Sequence, residues 1–161
     1  MTYFTKIACM ISCCAAAILL SGQVNAQSYL FDKAAFEKIK QQHIGKQWLL
    51  ILWSVDCPPC FQELALIEKM RKQQPEIAVV IINADDTDEI SAEREKIIAA
   101  YHLSTLANYH FGDGLSDQSR YIIDSHWYGE LPRSYFVEAN GTFHGKSGLV
   151  SEKSLVKWLA E

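Results

Sequence analysis

The sequence predicts an α/β domain in which a central mixed β-sheet is flanked by helices. Two continuous apolar runs, Trp48–Trp53 and residues 77–82, are typical of strands that are covered on both faces. Residues 60–73 between them carry apolar side chains at helical spacing, and a strand–helix–strand unit of this length implies parallel pairing with a right-handed crossover. The Asn140-Gly141 pair further along predicts a hairpin, which adds antiparallel strands.

The flanking elements follow from local signals. Asp32 can cap a first helix that continues to about Gln42, before Gly45 interrupts it. In the second helix the apolar face is formed by Leu64, Ile67 and Met70, and the pattern ends before Pro75.

Four acidic residues come after the second strand: Asp85, Asp86, Asp88 and Glu89. They suit the N-terminus of a helix that continues to about Tyr101, and their spacing does not match a calcium-binding loop. Residues 102–131 are predicted to hold a short strand near Tyr109 and a short helix near Gln118. The hairpin strands are placed at residues 134–137 and 142–144, and a final helix begins at Ser151.

Length, composition and charge exclude several classes of protein. With 161 residues, 49% hydrophobic and 21% charged, the chain fits one globular domain, which excludes a disordered or multidomain protein. The formal net charge is -4 and no basic block occurs, so the positive surface that nucleic-acid binding requires is missing. We therefore expect no nucleic-acid partner.

The first 26 residues have the layout of a secretory signal peptide. A polar start with Lys6 precedes an almost wholly apolar run over residues 7–20, and a small polar stretch ends at Ala26. This run is shorter than the roughly 20 residues that a membrane-spanning helix needs. We expect an exported, periplasmic domain of residues 27–161; an uncleaved segment that tethers the domain to the membrane is the alternative.

Removal of this segment leaves a single pair of thiols. Cys9, Cys13 and Cys14 leave with it, so the exported domain keeps only Cys57 and Cys60. Small exported domains that depend on disulfides usually have several, and a domain of this size buries an adequate core without them. Stability therefore gives little reason for the pair.

Cys57 and Cys60 enclose two prolines at the point where the first central strand passes into its helix. Cys57 lies just before the helix, where unpaired N–H groups and the positive end of the dipole favour a thiolate, so it is the predicted nucleophile. Cys60 lies one turn further on and is the predicted resolving thiol. The expected redox group is this disulfide alone, without another cofactor.

The two prolines also remove two backbone donors near the thiolate. A hydrogen bond to a charged group contributes about 1.5 to 3 kcal/mol. Since 30 mV of a two-electron potential is about 1.4 kcal/mol, the loss of one donor moves the couple roughly 30 to 60 mV toward the reducing side. The motif thus favours a reductant over an oxidant.

Two other uses of the cysteine pair are weaker. A structural disulfide across so short a loop contributes about 2 kcal/mol, against about 4.7 kcal/mol for a long loop. A zinc site needs two more ligands, and the chain has no second cysteine pair; its histidines are scattered at His43, His102, His110, His126 and His144. We therefore expect no metal.

Together the strand that ends at Trp53, the CPPC motif, its helix and Leu131-Pro132 ahead of a strand resemble the thioredoxin fold. The similarity is specifically to the exported TlpA/ResA/CcmG-like thiol-disulfide oxidoreductases, and it covers nearly all of residues 45–161. The resemblance implies a three-layer thioredoxin-like fold and disulfide exchange with client proteins.

The resemblance also assigns further site residues. A cis proline faces the disulfide in that family, and Pro132 matches it, with the Leu131 backbone beside the exposed sulfur; an ordinary trans proline is the alternative. Glu63, three residues after Cys60, matches a glutamate of ResA-like members. A partly buried carboxylate with a raised pKa could move the proton of the exchange, whereas a solvated helix acid would have no such role.

The sequence departs from the family pattern at two positions. Asp56 stands where a tryptophan usually precedes the first cysteine, and Ala65 where many members have a helix-kinking proline. A negative charge beside Cys57 opposes thiolate formation, which again favours a reducing couple. Trp127 and Tyr128 are predicted to replace the missing aromatic contact with clients; packing within their loop is the alternative.

The sequence thus predicts a monomeric, exported reductant. The resemblance suggests reduction of apocytochrome c thiols before haem attachment, or protection of another exported protein, with electrons from a membrane thiol reductase. The alternatives are an oxidant that installs disulfides and a non-catalytic binding module that uses residues 102–131.

Overall fold

The computed structural model describes residues 28–159, so the signal-peptide prediction for residues 1–26 lies outside the described part. Within it no helix is long and apolar enough to cross a membrane. The strands are β1 Tyr29–Phe31, β2 Trp48–Trp53, β3 Val79–Asn83, β4 Ala107–Phe111, β5 Arg133–Val137 and β6 Phe143–Ser147. The α-helices are α1 Lys33–Gln42, α2 Pro58–Gln73, α3 Ser91–Ala100, α4 Ser116–Ile123 and α5 Glu152–Leu159.

The six strands form one mixed sheet in the order β1-β4-β3-β2-β5-β6. The first four of these are parallel neighbours, while β5 runs antiparallel to β2 and β6 antiparallel to β5. Every residue of β2 is buried, as its unbroken apolar sequence predicts. The predicted mixed sheet is confirmed.

Helices cover both faces of the sheet and give three layers. Alternate β2 residues point to opposite faces, so Leu49 and Ile51 pack with residues of α2, α3 and α5, and Leu50 and Leu52 pack with α1 and α4. Both cysteines belong to the first of these two clusters, which we call the disulfide cluster. The apolar alternation of one central strand thus separates the face that holds the two cysteines from the opposite face, which we call the structural face.

The structure differs from the predicted elements in a few places. β1 was not expected; it is a three-residue edge strand, too short for a periodic signal. β3 begins at Val79 because the N–H of Ile77 donates to the Gln74 carbonyl in a turn, 3.2 Å away. The strand near Tyr109 and the helix near Gln118 are present as β4 and α4.

The first helix has the predicted N-cap. Asp32 is extended, and its Oδ1 accepts a hydrogen bond from the Ala35 N–H at 2.7 Å. The apolar residues Phe36 and Ile39 of α1 are buried. The cap therefore fixes the start of a helix that covers the structural face.

We expect Asp32→Ala to lower the free energy of unfolding by about 1 kcal/mol, because the first turn of α1 loses its side-chain acceptor. Urea denaturation measures the change. Asp32→Asn keeps an acceptor oxygen and should retain most of the stability, so equal losses in both variants would contradict the capping role.

Candidate redox site

Cys57 and Cys60 form a disulfide at the start of α2, with their Cα atoms 5.3 Å apart. Cys57 occupies the N-cap position, at the carboxyl end of the central strand. Cys57 is 8% exposed and Cys60 is 1% exposed. An incoming sulfur therefore reaches Cys57 more easily than Cys60.

The first turn of α2 offers few backbone donors. Pro58 and Pro59 occupy its first two positions and have no N–H. The N–H of Cys60 donates to the Cys57 carbonyl at 2.9 Å. Two N–H groups are therefore missing from this turn, and the third is already hydrogen-bonded.

Asp85 ties down the loop that leads into the motif. Its Oδ1 accepts from the Ser54 hydroxyl at 2.6 Å, and its Oδ2 accepts from the Val55 N–H at 2.9 Å and from the Asn83 side-chain amide at 2.8 Å. The Ser54 Oγ in turn accepts from the Asp56 N–H at 3.1 Å. One carboxylate thus fixes the backbone just before Cys57.

This role of Asp85 was missed by sequence reasoning, which grouped it with the acids of a helix N-terminus. Only Asp88 and Glu89 lie in such a position, in the first turn of the 3₁₀ segment Asp88–Ile90. A signal was present, because β2 and β3 are parallel and their carboxyl ends meet at one edge of the sheet. Ser54 and Asp85 follow these two ends.

Glu63 is buried within α2, at 1% exposure, which excludes the alternative of a solvated helix acid. Its Oε1 accepts a hydrogen bond from the hydroxyl of Ser134 on β5, and its Oε2 has no partner among the described residues. Desolvation raises the pKa of Glu63 from 4.5 to about 7, and the Ser134 hydrogen bond opposes part of that rise. Ser134 was not singled out from the sequence.

The Leu131–Pro132 peptide bond is cis, as expected from the sequence. Arg133, the next residue, pairs with Leu52 near the end of β2, so Pro132 lies at the same edge of the sheet as the motif. Leu131 is partly buried and packs against the disulfide cluster. It also packs against the cluster on the structural face.

The two aromatic residues ahead of this loop differ in their surroundings. Trp127 is 5% exposed, packs in the cluster on the structural face, and donates its Nε1–H to the Glu130 carbonyl at 3.0 Å. Tyr128 is 91% exposed. The loop-packing alternative describes Trp127, and of the two rings only that of Tyr128 is accessible to a partner.

A polar network that the sequence did not predict holds the loop from residue 124 to residue 133. The Arg133 guanidinium donates to Asp124 Oδ2 at 3.0 Å, to Glu130 Oε1 at 3.4 Å and to the Ser147 hydroxyl at 2.7 Å. A Cβ at Gly145 would lie 2.8 Å from its Cζ, so that position on β6 leaves room for the guanidinium. Arg133 thus fastens both ends of the loop that contains Pro132.

Metal-ligating side chains do not cluster in the described part of the chain. Across residues 28–159, no three His, Cys, Asp or Glu side chains are grouped so that they could hold a metal ion. Several histidines have separate partners instead, such as His102 with Glu68 and His144 with Glu138.

Comparisons with known proteins identify the architecture. No protein-family model matches this chain, and no curated protein sequence matches it. A secreted disulfide oxidoreductase of Mycobacterium tuberculosis, homologous to E. coli DsbE, is similar with a TM-score of 0.57 and 21% identity, over 74% of this chain and 84% of its own. StoA from Bacillus subtilis is similar with a TM-score of 0.55 and 20% identity, over 72% and 84%.

A third structure, a thiol:disulfide interchange protein of the thioredoxin family from Chlorobium tepidum, has a TM-score of 0.59 and 13% identity over 75% of this chain and 82% of its own. The predicted thioredoxin-like fold is thereby confirmed. The proteins that share it include thiol-disulfide oxidoreductases of the DsbE and StoA type, which agrees with the resemblance found in the sequence.

The burial of Glu63 predicts a pH-dependent stability. A folded-state pKa of about 7, above the ordinary 4.5, means that the folded protein holds a proton that the unfolded chain has released, so stability falls as pH rises through this window. The loss is about 3 kcal/mol and is complete above pH 7. We expect Glu63→Gln to abolish this decrease.

Urea denaturation from pH 4 to pH 8 measures the difference between the wild type and Glu63→Gln. The difference should grow between pH 4.5 and 7 and then stay constant. Glu76→Gln removes an exposed acid and should track the wild type. Parallel curves for Glu63→Gln and the wild type would show that Glu63 ionises in the folded state as it does in the unfolded chain.

Loss of the Asp85 carboxylate should loosen the loop before Cys57. In Asp85→Ala the Ser54 hydroxyl and the Val55 N–H lose their acceptor, so we expect a destabilisation of about 1 to 3 kcal/mol. Hydrogen exchange of the Val55 amide should become faster. Asp86→Ala is the matched control, since it removes the neighbouring carboxylate and leaves the three hydrogen bonds of Asp85 in place; equal effects in both variants would refute the specific role of Asp85.

Proposed function

We propose that this protein is an exported thiol-disulfide oxidoreductase that reduces disulfides of client proteins through Cys57 and Cys60. The observation that supports it best is the position of the disulfide at the start of α2, with Cys57 the more exposed of the two sulfurs. A disulfide kept only for stability gains little from a loop this short. No other cofactor is required.

The exchange proceeds in two steps that transfer two electrons. The Cys57 thiolate attacks one sulfur of a client disulfide; the client S–S bond breaks, a mixed disulfide forms, and the released client thiolate takes a proton from water. The Cys60 thiolate then attacks the Cys57 sulfur and expels the second client thiolate. The client gains two thiols, and Cys57 and Cys60 return to the disulfide.

Glu63 is the proposed proton acceptor for Cys60. The resolving thiol must lose its proton before it attacks, and Cys60 is nearly inaccessible to water. Glu63 lies one helical turn further along α2, and its pKa of about 7 leaves it partly ionised at neutral pH. Its Oε2, free of hydrogen bonds to described residues, is the oxygen available to the proton.

The local charges and donors support the reducing direction. Two of the first three positions of α2 have no N–H, and the third N–H is bound to the Cys57 carbonyl. A Cys57 thiolate therefore receives little stabilisation from the helix, while the neighbouring Asp56 opposes its charge. A destabilised thiolate makes the dithiol form the stronger reductant.

Partners and location follow from the N-terminal sequence and the surface near the site. Residues 1–26 direct the domain to the periplasm, and a membrane thiol reductase returns electrons to the disulfide. Clients contact the exposed ring of Tyr128 and the backbone at Leu131 and Pro132, at the same edge of the sheet as the motif. Apocytochrome c is the proposed client, and the protein acts as a monomer.

The equilibrium potential of the disulfide decides the direction of exchange. Titration of the domain against glutathione or dithiothreitol should give a value near or below that of thioredoxin, about -270 mV. A value near the -120 mV of a strong oxidant would overturn the reductant assignment, since it requires a well-stabilised thiolate. Thiols inert to both reagents would instead indicate a binding module.

The division of labour between the sulfurs predicts a trapping result. Cys60→Ser should accumulate a mixed disulfide with a model client, because nothing remains to expel the client from Cys57. Cys57→Ser should trap nothing, since the remaining sulfur is 1% exposed. Non-reducing electrophoresis followed by mass spectrometry measures both, and trapping by Cys57→Ser alone would reverse the assignment.

A further inference from the structure

Ser134 joins the strand after the cis proline to the buried acid of α2. It lies on β5, is fully buried, and is paired in register with Ile51 of β2. Cross-strand partners share a face of the sheet, and Ile51 belongs to the disulfide cluster. The hydroxyl of Ser134 therefore points into the same cluster as Cys57 and Cys60.

Within that cluster the hydroxyl has a single described acceptor. Ser134 Oγ donates to Oε1 of Glu63, a contact between residues 71 positions apart in the chain. Oε2 of the same carboxyl group has no hydrogen-bond partner among the described residues. The two carboxyl oxygens are thus distinguished: one is held by β5 and the other is left free.

Other charged groups on the surrounding elements are engaged elsewhere or exposed. The disulfide cluster is formed by apolar residues and the two disulfide-bonded cysteines, and the partly buried Tyr101 packs against it. On the helices around it, Lys69 of α2 forms a salt bridge with Glu152 of α5 at 2.7 Å, and Arg94 of α3 donates to the Thr87 carbonyl. On β6, His144 is hydrogen-bonded to Glu138, and Lys146 is exposed. Ser134 is the polar neighbour that bonds the Glu63 carboxyl.

We propose that Ser134 is a positioning residue of the redox site, which orients the Glu63 carboxyl so that Oε2 receives the proton of Cys60. Its hydrogen bond to Oε1 also stabilises the ionised form, because a donor binds a carboxylate more strongly than a neutral acid. The proposal rests on the proposed role of Glu63. It adds that β5, and not α2 alone, sets the pH at which Glu63 works.

The direct test is a ¹³C NMR titration of the Glu63 carboxyl in the oxidised protein, where neither cysteine titrates. Ser134→Ala should raise the Glu63 proton affinity about tenfold, which is about one pKa unit. Ser119→Ala is the matched control, since it removes another buried serine hydroxyl, on α4. It should leave the Glu63 titration unchanged, as should Ser134→Thr, which keeps the donor.

The functional readout is the pH profile of client release from the mixed disulfide. One part of this profile should depend on Glu63 and disappear in Glu63→Gln. That part should move to higher pH in Ser134→Ala and stay in place in Ser119→Ala. In the Glu63→Gln background, Ser134→Ala should leave the remaining profile where it is. A shift of equal size in that background would show that Ser134 acts without Glu63 and would overturn the proposal.

These experiments distinguish a failure of the proposal for Ser134 from a failure of the proposed role of Glu63. If Glu63→Gln removes part of the pH profile and Ser134→Ala leaves that part in place, Ser134 has no positioning role, and the proposed function stands. The same follows if the NMR titration of Ser134→Ala matches that of the wild type. If Glu63→Gln changes nothing, the role of Glu63 falls and that of Ser134 with it, while the trapping result still tests Cys57 and Cys60.

If Ser134→Ala does not fold, an NMR measurement on the wild type tests the same hydrogen bond between Ser134 and Glu63. A buried hydroxyl that donates to a carboxylate exchanges slowly with water, so the Ser134 hydroxyl proton should be visible by NMR and shift along the Glu63 titration. A hydroxyl signal that stays constant across that titration would overturn the proposal.

Discussion

Burial of β2 on both faces is the constraint on which the site depends. Its apolar side chains can be covered only by helices on both sides, and its neighbours are fixed by register with β3 and β5. One end of this strand consequently collects three segments that are distant in sequence: the motif at the start of α2, the loop after β3 and the cis-proline loop before β5. The candidate site depends on that convergence, because its residues come from all three segments.

The buried carboxyl group of Glu63 lowers the stability of the core that surrounds it. An acid placed among apolar side chains, with one oxygen lacking a partner among the described residues, is disfavoured in its charged form. A leucine or methionine at position 63 would pack without that penalty. A buried acid with a raised pKa, one helical turn from Cys60, is the reason for proposing that Glu63 takes part in proton transfer.

Local patterns predicted most of the fold and the two sulfurs, since apolar runs, helical periodicity, Asn-Gly and the CPPC motif are contained within short segments. The connections between segments were not predicted. Asp85 and Ser54 are 31 residues apart and Glu63 and Ser134 are 71 apart, so their hydrogen bonds depend on strand register and helix rotation. For Ser134 the available signal was a serine in a strand that also contains Tyr135 and Val137, because a buried polar side chain needs a partner.

The hydrogen bonds of Asp85 and Arg133 do not involve the sulfur atoms of the disulfide. Asp85 holds the loop before Cys57, and Arg133 holds the loop before β5, each through side chains and backbone groups outside the motif. Breaking the S–S bond therefore removes none of these hydrogen bonds directly. In the proposed reductant, the balance between the two redox states depends on the first turn of α2, which lacks two N–H donors, on the charge of Asp56, and on the protonation of Glu63.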